Sequence, residues 1–372
     1  MSDPRMEQPN GRARGRGLGL PFPGACGPNN AITDVAGIEV GYTTLIEGAG
    51  PLIVGEGPVR TGVTAILPRG HAPAAPVWAA MFSMNGNGEM TGTHWVEEAG
   101  YFRGPVCITN THSVGMAHHG VIRWMSVKYG AAFGDYVWAL PVIAETCDSH
   151  LNDMNGLHVT EAHVLAALES AKPGPLAEGS VGGGTGMICY EFKGGTGSAS
   201  REVELEGAGY TIGALVQANQ GVRPWLTVLG VPVGQHLTED VLWSSEQGSI
   251  IVVLATDLPL LPIQLKRLAR RITIGIGRTG TPSGDNSGDI FLVFSTANDG
   301  AFGSETGLRE HHYLANEILD PVFLATVEAV EEAIVNAMLG PETMTGRDDH
   351  KVVAIDHDRL CEVMRRYGRL DR

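Results

Sequence analysis

A glycine–serine pair, Gly248-Ser249, stands where a polar stretch of the chain gives way to an apolar one. Residues 233–248 are polar, whereas residues 250–255 read Ile-Ile-Val-Val-Leu-Ala, a run typical of a buried strand. Glycine tolerates backbone conformations that bring a serine hydroxyl against the preceding carbonyl, where an N-to-O acyl shift would cut the chain. The freed α-amine, with a pKa of about 8, could then serve as base for its own hydroxyl. The dipeptide alone is more often an ordinary turn before a strand.

Four more side chains could complete a site around such a nucleophile. Ser287 and Asp289 are two residues apart at the start of a predicted strand, so both point to one side and could hold the proton of a nucleophile. Asn219 ends another predicted strand, and its amide could stabilise an oxyanion. Glu145 follows an apolar run and could pair with a substrate ammonium group. Turn residues and a surface charge are the alternative interpretations of the same positions.

The elements that must position these residues are short strands and a few helices. Turn residues bound apolar runs that predict strands at 38–40, 63–67, 106–109, 142–144, 211–218, 225–231, 250–255 and 290–294. Apolar residues at helical spacing predict a first helix at 160–171, capped by Thr160, a second after a capping Asp257, and a third at 321–339 after Asp320. Residues 233–248 are predicted to be an exposed connector. We predict one α+β domain over residues 1–372, with sheets sandwiched by helices.

Composition limits the classes of partner. The 372 residues carry a formal charge of −15, which argues against nucleic acid as the main partner. The basic run at 12–17 is predicted to be a solvated tail or a subunit-contact arm. Five scattered cysteines without a CxxC pair argue against a disulfide framework and indicate a reducing compartment. No leader pattern and no run of about 18 apolar residues occurs, so we expect no membrane association and a cytoplasmic location, unless a leader has already been removed.

Other kinds of site fit the sequence less well. His112, His118 and His119 suggest a metal-dependent amidohydrolase, but their spacing is not HExxH and no carboxylate lies in register. We therefore expect no metal and no cofactor. The glycine-rich stretch 182–186 could bind phosphate, but no GxxxxGK[ST] follows. A chain that stays whole and acts as a binding scaffold is the non-enzymatic alternative.

Taken together, these pieces resemble a known family. The matching stretches are 19–22 (GLPF), 30–35 (NAITDV), 144–146 (AET), 151–153 (LND), 216–219 (VQAN), 248–249 (GS), 265–271 (LKRLARR), 286–289 (NSGD), 294–298 (FSTAN) and 343–348 (TMTGRD). In these stretches and their order, the chain resembles the DmpA-type aminopeptidases, the family of L-aminopeptidase/D-esterases and β-peptidyl aminopeptidases. The stretches span nearly the whole chain.

The resemblance implies a fold, a self-cleavage step and an oligomeric state for the chain. The fold would be an αββα sandwich of the type shared by this family and the ornithine acetyltransferases. Self-cleavage between Gly248 and Ser249 would leave an α chain of 1–248 and a β chain of 249–372. The processed pairs would assemble as a homotetramer. The substrates would be small peptides or amino-acid amides and esters, with β-amino acids and D-amino acids as possible N-terminal residues.

The resemblance also implies roles for single residues. Ser249 would be the nucleophile, oriented by Ser287 and Asp289. The amide of Asn219 and the backbone N–H of Gly288 would form the oxyanion hole. Three further residues would bind the substrate. The Glu145 carboxylate would hold the substrate's amine, Trp138 would form an aromatic wall of the pocket, and Cys147 would also line it.

Two departures from the family pattern matter. Some members have tyrosine where this chain has Cys147, which is a smaller and weaker donor, so we expect this position to affect the substrate range, particularly activity on D-amino acids. The family often has glutamate where this chain has Asp289, which moves the carboxylate by about one C–C bond. An acyltransferase like the ornithine acetyltransferases is the remaining alternative, but these cleave before threonine instead of serine.

Overall fold

The computed structural model describes residues 3–72, 75–133, 138–302 and 307–371. Its strands, in chain order, are β1 (Glu39–Glu47), β2 (Val59–Leu67), β3 (Val77–Gly86), β4 (Tyr101–Phe102), β5 (Val106–Asn110), β6 (Val142–Thr146), β7 (Ile188–Cys189), β8 (Phe192–Lys193), β9 (Gly195–Leu205), β10 (Ala208–Asn219), β11 (Ser249–Thr256), β12 (Gly288–Ser295), β13 (Met344–Thr345) and β14 (Lys351–Val352). Its helices are α1 (Thr93–Ala99), α2 (Val114–Phe133), α3 (Glu161–Glu169), α4 (Pro262–Arg278), α5 (Asp320–Leu339) and α6 (His357–Arg366). None of the helices within these ranges is both long and apolar enough to cross a membrane.

Two sheets form the centre of the molecule. One has the strand order β1-β2-β5-β6 and the other the order β4-β3-β12-β11-β10-β9. An apolar cluster that includes Ile66, Ile108, Val253 and Leu292 fills the space between the sheets. Helices α2 and α3 cover the outer face of the smaller sheet, and α4 and α5 cover that of the larger one. The predicted αββα sandwich is confirmed.

Strand β11 lies at the middle of the larger sheet, and its sequence explains why. All eight of its residues are buried, and successive side chains point alternately to the two apolar layers, so neither face can be polar. Burying each Val, Ile or Leu side chain contributes about 1.5–3 kcal/mol. The strand runs antiparallel to β10 and parallel to β12, and this pairing brings the ends of three strands to one edge of the sheet.

Several predicted elements differ from the observed ones. Helices α1, α2 and α6 were not predicted, and two of them precede the segment predicted to hold the first helix. The strand predicted at 225–231 is absent: a 3-10 turn, Arg223–Trp225, is followed by a single bridge between residues 228 and 231. Thr160 directly precedes α3 as predicted. Asp257 caps no helix, because α4 begins only at Pro262 with Leu261 at its N-cap; the Asp257 carboxylate instead accepts a hydrogen bond from the Thr211 N–H at 2.7 Å.

The basic N-terminal run is not a solvated tail. The Arg14 guanidinium is buried and donates to the Glu178 carboxylate at 2.9 Å and to backbone carbonyls. Arg16 pairs with Glu332, which is fully buried on α5. Buried guanidinium groups require such carboxylate partners, because an unpaired buried charge is costly. The run therefore fastens the N-terminal segment onto the sandwich.

Candidate active site

Ser249 is the first residue of β11, at the end of the sheet where β10 ends and β12 begins. It lies opposite Asn219 of β10 and opposite Gly288 of β12. The Gly288 N–H donates a hydrogen bond to Ser249 Oγ at 3.2 Å. Ser249 is only 6% exposed. The sheet register thus brings together three residues that are predicted from distant parts of the sequence.

A cavity of about 910 Å³ opens at this edge of the sheet. The residues that line it are Asn87, Gly88, Glu89, Thr111, Glu145, Cys147, Ser149, His150, Ile188, Asn219, Trp243, Gln247, Gly248, Ser249, Asn286 and Arg347. Its volume falls in the range of pockets that bind small molecules. The hydroxyl predicted to be a nucleophile and the carboxylate predicted to bind an amine therefore share one cavity.

The side-chain amide of Asn219 is held at both of its ends. Its Oδ1 accepts from the Ile188 N–H at 2.8 Å, and its Nδ2 donates to the Cys147 carbonyl at 3.1 Å. The orientation of the amide is thereby determined. Since an amide nitrogen carries two hydrogens, one donor is left for a ligand. The role of Ile188 could not be predicted from the sequence, because this residue contributes through its backbone N–H.

Ser287, directly before β12, and Asp289, within β12, are hydrogen-bonded to each other. The Ser287 hydroxyl donates to Asp289 Oδ1 at 2.7 Å, and the Ile250 N–H donates to the same oxygen at 3.2 Å. Ser283 also donates to this carboxylate. Burial raises the pKa of Asp289, and the two serine donors partly offset that effect. Among the described hydrogen bonds, neither Ser287 nor Asp289 contacts the Ser249 hydroxyl, so their orienting role stays a prediction.

Glu145 is a buried carboxylate at the end of β6, only 4% exposed. Its Oε1 accepts from the Glu89 N–H at 2.9 Å, and its Oε2 accepts from the Thr111 hydroxyl. Burial raises its pKa, while these two donors lower it. Among the described residues it forms no salt bridge. A buried anion that faces a cavity without a cationic partner is suited to bind a ligand cation.

The segment before Ser249 is exposed over much of its length, as its polar sequence predicts, but buried carboxylates hold it at several points. Glu246 is buried and accepts from the Gly221 N–H at 2.8 Å and from the Thr281 hydroxyl at 2.6 Å. Glu191, which is also buried, accepts from the backbone N–H groups of residues 242 and 243. Two internal carboxylates therefore hold 242–246 against the sandwich and keep the Gly248-Ser249 bond in place.

The resemblance implies that Trp138 is an aromatic wall of the substrate pocket, a role that stays a prediction. Trp138 is 55% exposed and packs edge to face against Trp95 of α1, with ring centroids 5.6 Å apart, and it does not line the cavity. It follows α2 in the chain, which places it over α1 instead. Trp243 lines the cavity and packs against His150 at 5.5 Å. Cys147 lines it as predicted, with its Sγ donating to the Ser149 hydroxyl.

The three histidines of the metal hypothesis lie outside this cavity. His119 contacts the Glu161 carboxylate at 3.0 Å, on the outer helices α2 and α3. Within the part of the chain that the structure describes, no three His, Cys, Asp or Glu side chains converge as a metal-binding group. The metal-dependent alternative therefore has no candidate donor set among these residues.

Comparison with known proteins identifies the family of this chain. Residues 30–352 match peptidase family S58. The chain belongs to peptidase family S58. It is an aminopeptidase of the N-terminal-nucleophile type, a serine hydrolase. This membership favours the serine hydrolase over the acyltransferase and over the binding scaffold.

Relatives in this family resemble the chain over nearly its full length. The β-peptidyl aminopeptidase BapA of Sphingosinicella microcystinivorans is 49% identical over 373 residues, covering 96% of this chain and 93% of the relative. The L-aminopeptidase D-Ala-esterase/amidase structure from Ochrobactrum anthropi, a variant of the Ntn hydrolase fold, is 56% identical with a TM-score of 0.91 and covers 96% of this chain and 99% of its own. A Burkholderia β-aminopeptidase structure is 44% identical with a TM-score of 0.87, at 95% and 99% coverage.

Proposed function

We propose that this S58 peptidase is made as a precursor that cuts itself between Gly248 and Ser249. The Ser249 hydroxyl attacks the Gly248 carbonyl carbon, and collapse of the adduct breaks the C–N bond and leaves an ester on Oγ. Water then hydrolyses the ester, which releases the Gly248 carboxylate and leaves Ser249 with a free hydroxyl and a free α-amine. The products are an α chain of 1–248 and a β chain of 249–372.

In the mature enzyme, Ser249 attacks the carbonyl that follows the substrate's N-terminal residue. Its own α-amine takes the hydroxyl proton and passes it to the leaving amine, as nucleophiles of this type require. The Gly288 N–H and the second hydrogen of Asn219 Nδ2 stabilise the oxyanion of the tetrahedral intermediate. Water then hydrolyses the acyl ester on Oγ. The observation that carries this proposal is the Gly288 N–H to Ser249 Oγ hydrogen bond at 3.2 Å, in the cavity that also holds Glu145.

The substrates are peptides, amides and esters that carry a free N-terminal amine, which binds Glu145. Two relatives are named for β-peptidyl or β-amino substrates, and a third for L-aminopeptidase and D-Ala-esterase/amidase activity. We therefore include β-amino acids and D-alanine among the N-terminal residues to be tested. Ser287 and Asp289 hold β11 through the Ile250 N–H, and thereby position Ser249.

The processed pairs assemble as a homotetramer in the cytoplasm. An exposed aromatic surface around Trp95 and Trp138 supports association between subunits, since the two indole rings pack on each other and Trp138 is largely uncovered in one chain. The five cysteines are free, which suits a reducing compartment.

The experiment that tests self-cleavage uses the purified full-length chain. A denaturing gel is expected to resolve two bands, near two-thirds and one-third of the 372 residues, and N-terminal sequencing of the smaller band should begin at Ser249. Hydrolysis of an aminoacyl p-nitroanilide should need no added metal and resist a chelator. A single band in active enzyme after prolonged incubation would contradict the proposal.

Gly248→Ala is expected to slow self-cleavage at least roughly 10-fold, the effect of about 1.4 kcal/mol on a barrier. Gly248 has φ +149°, and a Cβ there would overlap the Asn219 carbonyl oxygen, so alanine must displace the peptide bond that is cut. The rate is measured as disappearance of the single-chain band.

The matched control is Gly277→Ala in α4. A Cβ at Gly277 meets nothing within 4 Å, so this variant should be processed normally and be stabilised by about 0.5–1 kcal/mol. Wild-type processing of Gly248→Ala would mean that the conformation at Gly248 is unimportant for the cut.

A further inference from the structure

The stretch 343–348 contributes one residue, Arg347, to the lining of the cavity that holds Ser249. A side chain at Gly346 would overlap the Leu151 carbonyl oxygen, so only glycine fits there. The next residue, Arg347, donates its backbone N–H to that same carbonyl at 2.9 Å. Asp348 hydrogen-bonds the loop that follows β1. The backbone on both sides of Arg347 is therefore held in place.

The Arg347 side chain lines the same cavity as Ser249. Its Nε donates to the Ser149 carbonyl at 2.6 Å, and its Nη1 contacts the Asp348 carboxylate at 3.2 Å. Neither contact uses Nη2. A guanidinium group has five N–H donors in a planar fork, which suits bidentate binding of a carboxylate.

The charges around the cavity are of opposite sign. Glu145 and Glu89 are anionic, and among the described residues of the lining Arg347 is the one Arg or Lys side chain. His150 adds no positive charge at neutral pH, because burial and the nearby charges of His350 and Arg347 lower its pKa to about 4. The cavity thus offers carboxylates for a cation and one guanidinium for an anion.

We propose that Arg347 binds the terminal carboxylate of the substrate, so that the preferred substrates are short peptides with a free carboxyl end, dipeptides above all. This inference rests on the proposed function, in which Glu145 holds the amine. Ser149, whose carbonyl holds Arg347, lies four positions after Glu145 in the chain, so the Cα atoms of these two residues are at most about 14 Å apart. An extended dipeptide is about 7 Å long and makes a polar contact of about 2.9 Å at each end, so it is short enough to lie between Glu145 and Arg347 in the cavity that both residues line.

The test compares one dipeptide in two forms, with a free and with an amidated carboxyl end. Its N-terminal residue is one that the processed enzyme releases from a p-nitroanilide. The wild-type enzyme is expected to cleave the first peptide bond of the free acid with a kcat/KM roughly 10- to 100-fold above that of the amide, the worth of a charge-assisted hydrogen bond. Chromatography of the released N-terminal residue gives both values.

Two variants of Arg347 and one control complete the test. In Arg347→Gln the ratio of the two kcat/KM values should fall to near 1, and in Arg347→Lys it should lie between. Arg359→Gln, which removes an exposed arginine paired with Glu239 outside the cavity lining, should keep the wild-type ratio.

The outcomes separate this inference from the proposed function. A wild-type ratio near 1, an unchanged ratio in Arg347→Gln, or an equal loss on both substrates in that variant would overturn the carboxylate role. If Arg347→Gln does not fold, the wild-type and Arg347→Lys ratios decide. A wild-type enzyme that cleaves neither the p-nitroanilide nor the dipeptides refutes the proposed function itself.

Discussion

Ser249→Ala is expected to remain a single chain of 372 residues and to lose aminopeptidase activity on the order of 10⁴-fold or more. One hydroxyl carries out both reactions: it attacks the Gly248 carbonyl in the precursor and the substrate carbonyl in the mature enzyme. Alanine removes the nucleophile from a position whose surroundings stay intact, including the Gly288 N–H that donates to Ser249 Oγ. The measurements are the band pattern on a denaturing gel and the rate of aminoacyl p-nitroanilide hydrolysis.

A neighbouring serine provides the control for this variant. Ser244 is exposed and lies five residues before Ser249, outside the cavity lining, so Ser244→Ala should be processed and active like the wild type. Thermal unfolding of both variants checks that they fold. If Ser249→Ala is still cut, the scissile bond lies elsewhere, and if uncut Ser249→Ala stays active, the nucleophile is another group.

Glu145→Gln is expected to lower kcat/KM for substrates with a free amine roughly 30- to 4,000-fold, mostly through KM. Glutamine keeps the shape of the side chain but removes the negative charge. Truncating one partner of a buried charge pair costs about 2–5 kcal/mol, which converts to that range. The measurement is a Michaelis–Menten series on one aminoacyl p-nitroanilide.

Glu89→Gln is the matched comparison, because Glu89 lines the same cavity but is exposed to solvent. An exposed ion pair contributes less than about 1 kcal/mol, so its removal should cost less than roughly 5-fold. Equal losses in the two variants would show that the amine does not bind Glu145 specifically. Normal binding by Glu145→Gln would contradict the anchoring role altogether.

The same carboxylate predicts the acid side of the pH profile. Burial raises the pKa of Glu145 above its usual 4.5. Glu145 must be charged to hold an ammonium group, so activity is present above this raised pKa and is lost as the pH falls through it. In Glu145→Gln that loss should disappear from the profile of kcat/KM. If it persists unchanged, Asp289, whose pKa is also raised by burial, or another group is responsible.

What could be predicted from the sequence is mainly local. An uninterrupted apolar run after Ser249 predicts a buried strand, because such residues can be covered only inside a sheet with both faces packed. The helical spacing of apolar residues predicts α5, and Pro321 near its start fits the first turn. The resemblance adds the sandwich, which the two sheets and their helices confirm.

The arrangement of the active-site residues depends on pairing between distant segments, so only the tertiary structure determines it. The register that sets Ser249 beside Asn219 and Gly288 comes from β10, β11 and β12 together, and no single strand specifies it. The two donors that hold the buried Glu145 carboxylate, the Glu89 N–H and the Thr111 hydroxyl, likewise come from other segments of the chain.

The errors have the same cause. The basic run at 12–17 and the single residue Glu246 look solvated because sequence polarity does not reveal a buried partner of opposite charge or the buried donors that a carboxylate will find. Arg14 finds Glu178, and Glu246 accepts from residues 221, 281 and 284, only once the chain has folded. The sequence alone does not distinguish Trp138 from Trp243. Trp138 packs against Trp95 of α1, whereas Trp243 packs against His150 and lines the cavity. A residue type and its spacing define what chemistry is available, whereas the partners that orient and bury it belong to contacts made across the whole fold.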